Sequence, residues 1–333
     1  MKAPEHIVIF HPAAIGDAVL ATPVATLLKR NFPDTAITYW SHSSLEPLIA
    51  GRCQAIDRFA EFDKKPVIAL IGQLRGLAPD LFVDLSNSLK GRLLCLATGC
   101  RAVSYRKEAG KRAADNFVDT IRPLIKNCDL PWFPTLVIPE GSAFEDPNHF
   151  SPRDTVIGLV PGVGNKRPHR AWPPDHWLVL IRGLSRQNRQ LLLLGGPEEA
   201  ALGEEIESKS AGKARNLCGR LDIERTAGLL ARCDLVVAGD TGPAHIAVAV
   251  GTPVLGLYGP TLVERSGPTG YEHLALSRSS QCACLEAKYC LKAEKTGPGA
   301  CMSLIQPAEV IEIVEQMLAG EGLQADASRS GLR

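Results

Sequence analysis

The chain has 333 residues, more than one hydrophobic core usually supports, so two domains are expected. Its composition, 45% hydrophobic and 22% charged, is that of a globular protein, and 37 Lys+Arg against 36 Asp+Glu leave a net charge of +1. Nucleic acid is therefore not an expected partner, and any basic patch must be local. No basic start and cleavage site accompany the first apolar run at 7–10, and no apolar run approaches the roughly 18 residues needed to span a bilayer. The longest, 246–258, is broken by Gly251 and Pro253. A cytoplasmic chain is expected, its ten cysteines mostly reduced.

In chain order, β-rich runs alternate with helical stretches, the pattern of parallel sheets covered by helices on both faces. The first half predicts strands over 6–10, 36–40, 57–62 and 81–85, with helices over 17–31, 44–50, 66–77 and 89–97. Pro23 should bend the first helix or mark an irregular first turn. Between 128 and 155, Pro131, Pro134, Pro139, Pro147 and Pro152 interrupt the pattern, which reads as an interdomain linker with one strand over 135–138. The pattern then restarts, with strands over 156–160, 190–194, 235–238 and 254–258 and helices over 174–187, 198–208, 223–231, 243–250 and 307–318. The expected domains are 1–150 and 151–319, followed by a polar, disordered tail over 320–333. Two such units predict a cleft, and ligands of open α/β sheets bind at the strand carboxyl ends.

Four segments at such ends can carry chemistry. In Asp240-Thr241-Gly242-Pro243, a buried strand turns into a helix; its free N–H groups form an anion site, to which Thr241 adds a hydroxyl and His245 a ring. Asp240 and Thr241 can equally be simple helix caps. In HPAAIGD (11–17), Asp17 is either the N-cap of the next helix or a general base taking a proton from an attacking hydroxyl. In PGVGNKRPHRAW (161–172), Gly162 and Gly164 allow a tight turn, and Lys166, Arg167 and Arg170 offer charge for phosphates, unless this is only an exposed basic loop. Glu198 and Glu199 follow Gly195-Gly196-Pro197, where acidic residues suit a helix start; a ribose-binding Glu is the other reading.

The fingerprints of classical dinucleotide folds, P-loop NTPases and α/β-hydrolases are absent from the sequence. Cys282, Cys284, Cys290 and Cys301 share one loop and can hold a structural zinc, although C-x-C is not the usual C-x2-C knuckle and reduced thiols are the default.

Taken together, DTGPAH with AVAVGTPVLGLYGPT (240–261), IGD before an apolar helix, AWPPDHW (171–177) and LLGGPEE (193–199) resemble the family 9 glycosyltransferases, the heptosyltransferases of lipopolysaccharide inner-core synthesis. The likeness runs from His6 to about Leu318, and the cysteine loop before Cys301-Met302 is similar to the branch that adds the second heptose. The resemblance implies a GT-B fold, with two Rossmann-like domains whose parallel sheets face a central cleft and a final helix returning toward the first domain. It implies an inverting, metal-independent transfer from ADP-L-glycero-D-manno-heptose, with no cofactor, to a Kdo- or heptose-lipid A acceptor. Asp17 would be the base. Thr241, Gly242 and the helix start would hold the diphosphate, with Arg170 near a position where the family often has lysine. Asp240 and His245 would belong to the donor site, and Glu198 would reach the ribose or adenine.

Arg101, Arg106, Lys107, Lys111 and Arg112 make a basic segment that either contacts an anionic glycolipid or is a solvated loop. A monomer in peripheral contact with the inner membrane is expected. Competing functions are a family 9 transferase of another nucleotide sugar, a nucleotide-sugar epimerase on the same scaffold, and a non-catalytic binding module.

Overall fold

The structure is a computed structural model, and it describes residues 3–62, 65–128, 133–139, 154–287, 289–290 and 299–320. The chain divides into two compact units, Met1–Val137 and Ile138–Arg333. The boundary falls inside the Pro-rich stretch read as a linker. The expected strand over 135–138 is not formed: residues 133–139 are irregular, and Val137 N–H donates to the Arg52 carbonyl at 2.9 Å. Pro134 and Pro139 flank this segment without N–H groups to extend a ladder. Residues 140–153 and all of the expected tail except Gly320 lie outside the described residues.

Unit 1 runs β1 (His6–Phe10), α1 (Ile15–Leu20), α2 (Thr22–Asn31), β2 (Ala36–Ser41), α3 (Glu46–Ile49), β3 (Arg58–Glu61), α4 (Val67–Leu77), β4 (Leu81–Asp84), α5 (Leu89–Ala97), β5 (Arg101–Ser104) and α6 (Ala113–Ile121). Its five strands are parallel, in the order β3-β2-β1-β4-β5. Alternation along β1 sorts the two faces. Val8 and Phe10 join Trp40, Phe82, Leu70 and Leu74 of α4 and Leu94 of α5 in one core, with the Phe10 and Trp40 rings 4.8 Å apart. His11, on the other face, meets Phe117 of α6 at 4.9 Å, and α1 and α2 pack beside α6.

The single helix expected over 17–31 is two helices broken at Ala21. Pro23 is the cause, since it has no N–H for the Val19 carbonyl; the buried Thr22 hydroxyl donates to that oxygen instead, at 2.8 Å. The basic segment read as a loop contains β5 and leads into α6, and neither element was expected.

Unit 2 runs β6 (Thr155–Val160), α7 (Pro174–Leu184), β7 (Arg189–Leu193), α8 (Ala200–Lys209), β8 (Arg215–Asn216), α9 (Ile223–Arg232), β9 (Leu235–Ala238), α10 (Gly242–Ala249), β10 (Val254–Tyr258), α11 (Val263–Ser266), β11 (Leu276–Ser277), α12 (Ala300–Ser303) and α13 (Pro307–Leu318). Six parallel strands follow the order β11-β10-β9-β6-β7-β8. The last helix packs on α7 of its own unit: a Cβ at Gly183 would come within 2.4 Å of Ile311. Arg189 also grips Glu315 with a two-pronged pair at 2.9 and 3.0 Å.

His11 is 2% exposed and shares a 2.8 Å hydrogen bond with the Tyr39 hydroxyl. Burial pushes its pKa down to about 3, so it folds neutral. The unfolded chain takes up this proton below about pH 6.5 while the native state does not, so stability rises with pH between these values. His11 alone is expected to remove about 3 kcal/mol of stability as pH falls from 6.5 to 4. Urea unfolding should show this loss in the wild type and a smaller one in His11→Asn, which retains a polar atom near Nδ1. Parallel pH curves for the two proteins would contradict it.

Candidate active site

In both units the strand order reverses beside the first strand, at β1/β4 and at β6/β9. The loops leaving these strands diverge to opposite faces, which opens a crevice at the strand carboxyl ends. Asp17, Lys166, Arg170, Asp240, Thr241, Gly242 and His245 lie on or just beyond these loops, whereas Glu198 follows β7 and the basic segment begins in β5.

In unit 2, the loop after β6 carries Arg170 and the turn after β9 carries Asp240. Arg170 Nη1 donates to Asp240 Oδ2 at 2.6 Å, with the side chains 13% and 10% exposed. His245 Nε2 stands 3.6 Å from the other carboxylate oxygen, and the Ser266 hydroxyl donates to Oδ2 at 3.4 Å. Burial disfavours the Asp240 charge, but His245 and then Arg170 outweigh it and hold the carboxyl below its usual range. Asp240 is thus neither a free base nor a helix cap. The Arg170 Nε–H is buried with no hydrogen-bond partner among the described residues. An unused guanidinium donor beside a helix start is a natural anion ligand.

Thr241 is the N-cap of α10, its hydroxyl oxygen accepting from Ala244 N–H at 3.4 Å. The capping reading therefore holds for Thr241, and the hydroxyl hydrogen remains available for a ligand. Gly242 opens the helix, Pro243 has no N–H to leave orphaned, and His245 is buried on the first turn.

The two glutamates differ in role. Glu199 accepts from Gly164 N–H at 3.0 Å and from Gly196 N–H at 2.8 Å, tying the loop after β6 to the loop after β7. A Cβ at Gly162 would lie 1.9 Å from Glu199 Cγ, so this glycine makes room for the strut, while Gly164 sits at φ +70° in the left-handed region. Glu198 accepts from the exposed Asn165 N–H at 3.2 Å, and exposed Lys166 has no ion-pair partner among the described residues.

Three neighbours escaped the sequence reading. Arg265 pairs with Glu286, whose carboxylate also accepts from Leu262 N–H at 3.0 Å. His169 is buried with Nε2 unpartnered among the described residues, its pKa lowered by burial and then by Arg170. Tertiary folding alone brings Arg265 and Glu286, 21 residues apart, together. Trp172 Nε1–H donates to the Ile305 carbonyl at 3.0 Å, fixing the far end of the Arg170 loop.

Of the cysteine loop, Cys282 and Cys290 stand near the buried Cys301 thiol, which burial and Cys282 push up to about 12. Among the described residues, Cys284 included, no group of three or more His, Cys, Asp or Glu is arranged to hold a metal ion.

In unit 1, Asp17 is the third residue of α1, exposed, and not its cap; the cap position is Ala14, without a side-chain bond. A carboxylate in a first helical turn is favoured by the helix dipole. Below it lies the buried Tyr39, whose pKa is raised by burial, then by Cys53 and Asp17. Across the switch point, Asp84 accepts from Ser86 N–H and Oγ and from the Ser104 hydroxyl, while Ser88 caps α5.

The structure splits the basic segment. Arg101 begins β5, at the amino edge of the sheet, whereas exposed Arg106 and Lys107 follow its carboxyl end. Lys111 pairs with Asp119, and Arg112 Nε lies 3.6 Å from Asp115. Asn116 holds the intervening turn by accepting from Glu108 N–H at 2.8 Å.

Two parallel α/β units of this kind, with an anion-ready switch point in the second, are the architecture of the GT-B fold class. The chain belongs to glycosyltransferase family 9 (heptosyltransferase), whose model matches residues 67–296. Lipopolysaccharide heptosyltransferase 2 of Salmonella typhimurium is 24% identical over 354 aligned positions, spanning 95% of this chain and 99% of the relative. A family 9 glycosyl transferase from Veillonella parvula shares the fold with a TM-score of 0.80 at 20% identity, covering 96% of this chain and 99% of that one. The E. coli ADP-heptose lps heptosyltransferase II does so with 0.77 at 21%, covering 95% and 99%.

Because the Arg170–Asp240 pair is buried, removing one partner strands the other. Asp240→Ala is expected to cost about 3–5 kcal/mol in urea unfolding. Arg170→Ala should cost less, since His245 and Ser266 still face the carboxylate. Equal losses, or none, would contradict this account.

Proposed function

We propose that the protein transfers a heptose from ADP-L-glycero-D-manno-heptose to an inner-core lipopolysaccharide acceptor, Kdo- or heptose-lipid A, with inversion and without a metal ion. The observation that carries this reading is the buried, half-used Arg170 guanidinium beside the start of α10. The family assignment and the names of the relatives support the sugar and the acceptor class.

In this mechanism the diphosphate lies against Arg170, the Thr241 hydroxyl and the Gly242 end of α10. Lys166 adds charge, Asp240 and His245 fix Arg170, and Glu198 approaches the ribose. As the bond from the anomeric carbon to the diphosphate oxygen breaks, negative charge builds on the leaving ADP and positive charge on the sugar ring. Preorganised donors directed at the diphosphate stabilise this charge separation. The acceptor hydroxyl attacks the opposite face, and Asp17 takes its proton. Arg106 and Lys107 are the members of the basic segment best placed to meet acceptor anions. Arg101, Lys111 and Arg112 keep at most a supporting part. The protein works as a monomer in peripheral contact with the cytoplasmic face of the inner membrane.

The test is donor binding and transfer measured in EDTA. ADP and ADP-heptose should raise Tm more than UDP or GDP, because only ligands that bind the native state stabilise it. Asp17→Asn should keep that shift and lose transfer by about 100-fold or more, in line with removal of a general base. Unchanged transfer by a folded Asp17→Asn protein would show Asp17 to be structural. Conversion of donor without acceptor would favour an epimerase, and no shift with any nucleotide would favour a non-catalytic module.

A further inference from the structure

A helix that covers one face of a sheet needs one apolar side, yet α5 has two. Gly91 and Leu94 point inward, and Leu94 joins the core with Phe10 and Phe82. Leu89, Leu93 and Leu96 follow at i, i+4 and i+7 and are 74%, 39% and 84% exposed. At 100° per residue they occupy an arc of about 60° on the side facing away from the core. Lys90 borders this stripe on one side and Arg92 on the other; both are exposed, and neither has an ion-pair partner among the described residues. The adjoining α4 presents Ile68, 84% exposed, in its first turn.

We propose that this outward face of α5, with Ile68, docks the protein on an anionic lipid bilayer. The inference rests on the reading that the acceptor is lipid-linked, and it names the surface that meets the lipid. The leucines enter the boundary between headgroups and acyl chains, and Lys90 and Arg92 stay at headgroup level, the division of labour of an interfacial helix.

Charge selects this occupant. The helices α4 and α5 carry Arg75, Lys90 and Arg92 and no carboxylate. An anionic membrane complements such a face, whereas a second copy would oppose like charges. Topology fits as well. The first turn of α5 follows the carboxyl end of β4, at the sheet edge where the Asp17 loop leaves β1. A membrane held there would present the saccharide of a lipid-anchored acceptor to that edge.

The test is co-sedimentation of the full chain with phosphatidylcholine vesicles, with and without phosphatidylglycerol. The wild type should bind the anionic vesicles and not the neutral ones. Lys90→Glu/Arg92→Glu should weaken that binding at least about tenfold. Leu89→Ser/Leu93→Ser/Leu96→Ser should do the same by removing apolar insertion, about tenfold or more. The substituted side chains lie outside the core, so circular dichroism and thermal stabilisation by ADP should match the wild type. Failure of the wild type to bind anionic vesicles, or unchanged binding by both variants, would overturn the proposal. So would conversion of a wild-type dimer to monomer by the triple variant with vesicle binding retained, which would mark a contact between copies. Transfer to a delipidated, water-soluble acceptor keeps the two readings apart: its absence in a vesicle-binding wild type counts against the transferase alone, and its presence without vesicle binding against the docking face alone.

Discussion

Both units depend on one constraint. A parallel strand must return through a helix on one face of the sheet, and where strand order reverses, neighbouring helices leave to opposite faces. The reversal opens the carboxyl edge at β1/β4 and β6/β9 without disturbing the core beneath. In unit 1 that edge holds Asp17, on a helix that Pro23 ends early; in unit 2 it holds Arg170, Asp240 and Thr241. The same reversal serves an exposed carboxylate in one unit and a buried ion pair in the other.

The unit 2 site is built for fixed geometry. Glu199 braces the loop after β6 through two backbone N–H groups, Trp172 anchors its far end, and Asp240 orients the guanidinium between them. Arg170, Asp240 and Trp172 are largely withdrawn from water, so their interactions are stronger than at a surface and rearrangement is costly. Donors held in this way need not reorganise when charge develops on a leaving group. The surface of unit 1, by contrast, keeps Arg106 and Lys107 solvated and the α5 leucines exposed, as befits contacts with large and variable partners.

Much of this was legible in the sequence wherever local chemistry decides the outcome. The α5 and α13 boundaries follow from periodicity and flanking residues, and the turn at Asp240 follows from a buried strand meeting Thr, Gly and Pro. Periodicity failed where elements are short or at a sheet edge: β8 and β11 have two residues each, and β5 hid in a segment whose charges dominated its reading. Side-chain partnership was the other blind spot. No spacing rule says that Arg170 meets Asp240, that Glu199 rather than Glu198 is the strut, or that Lys111 is engaged by Asp119. These follow from tertiary placement, which single-sequence patterns do not carry.

The central claim is that the Arg170 guanidinium, whose buried Nε–H has no partner among the described residues, is the donor diphosphate's principal ligand. Calorimetric titration of ADP in EDTA against the wild type and Arg170→Gln tests it most directly, because glutamine keeps a planar polar end and removes the charge. The account predicts that ADP binds the wild type without metal and that Arg170→Gln weakens binding at least about tenfold, consistent with loss of charge-assisted hydrogen bonds. Equal affinity for the two folded proteins would contradict it and move the diphosphate away from this switch point.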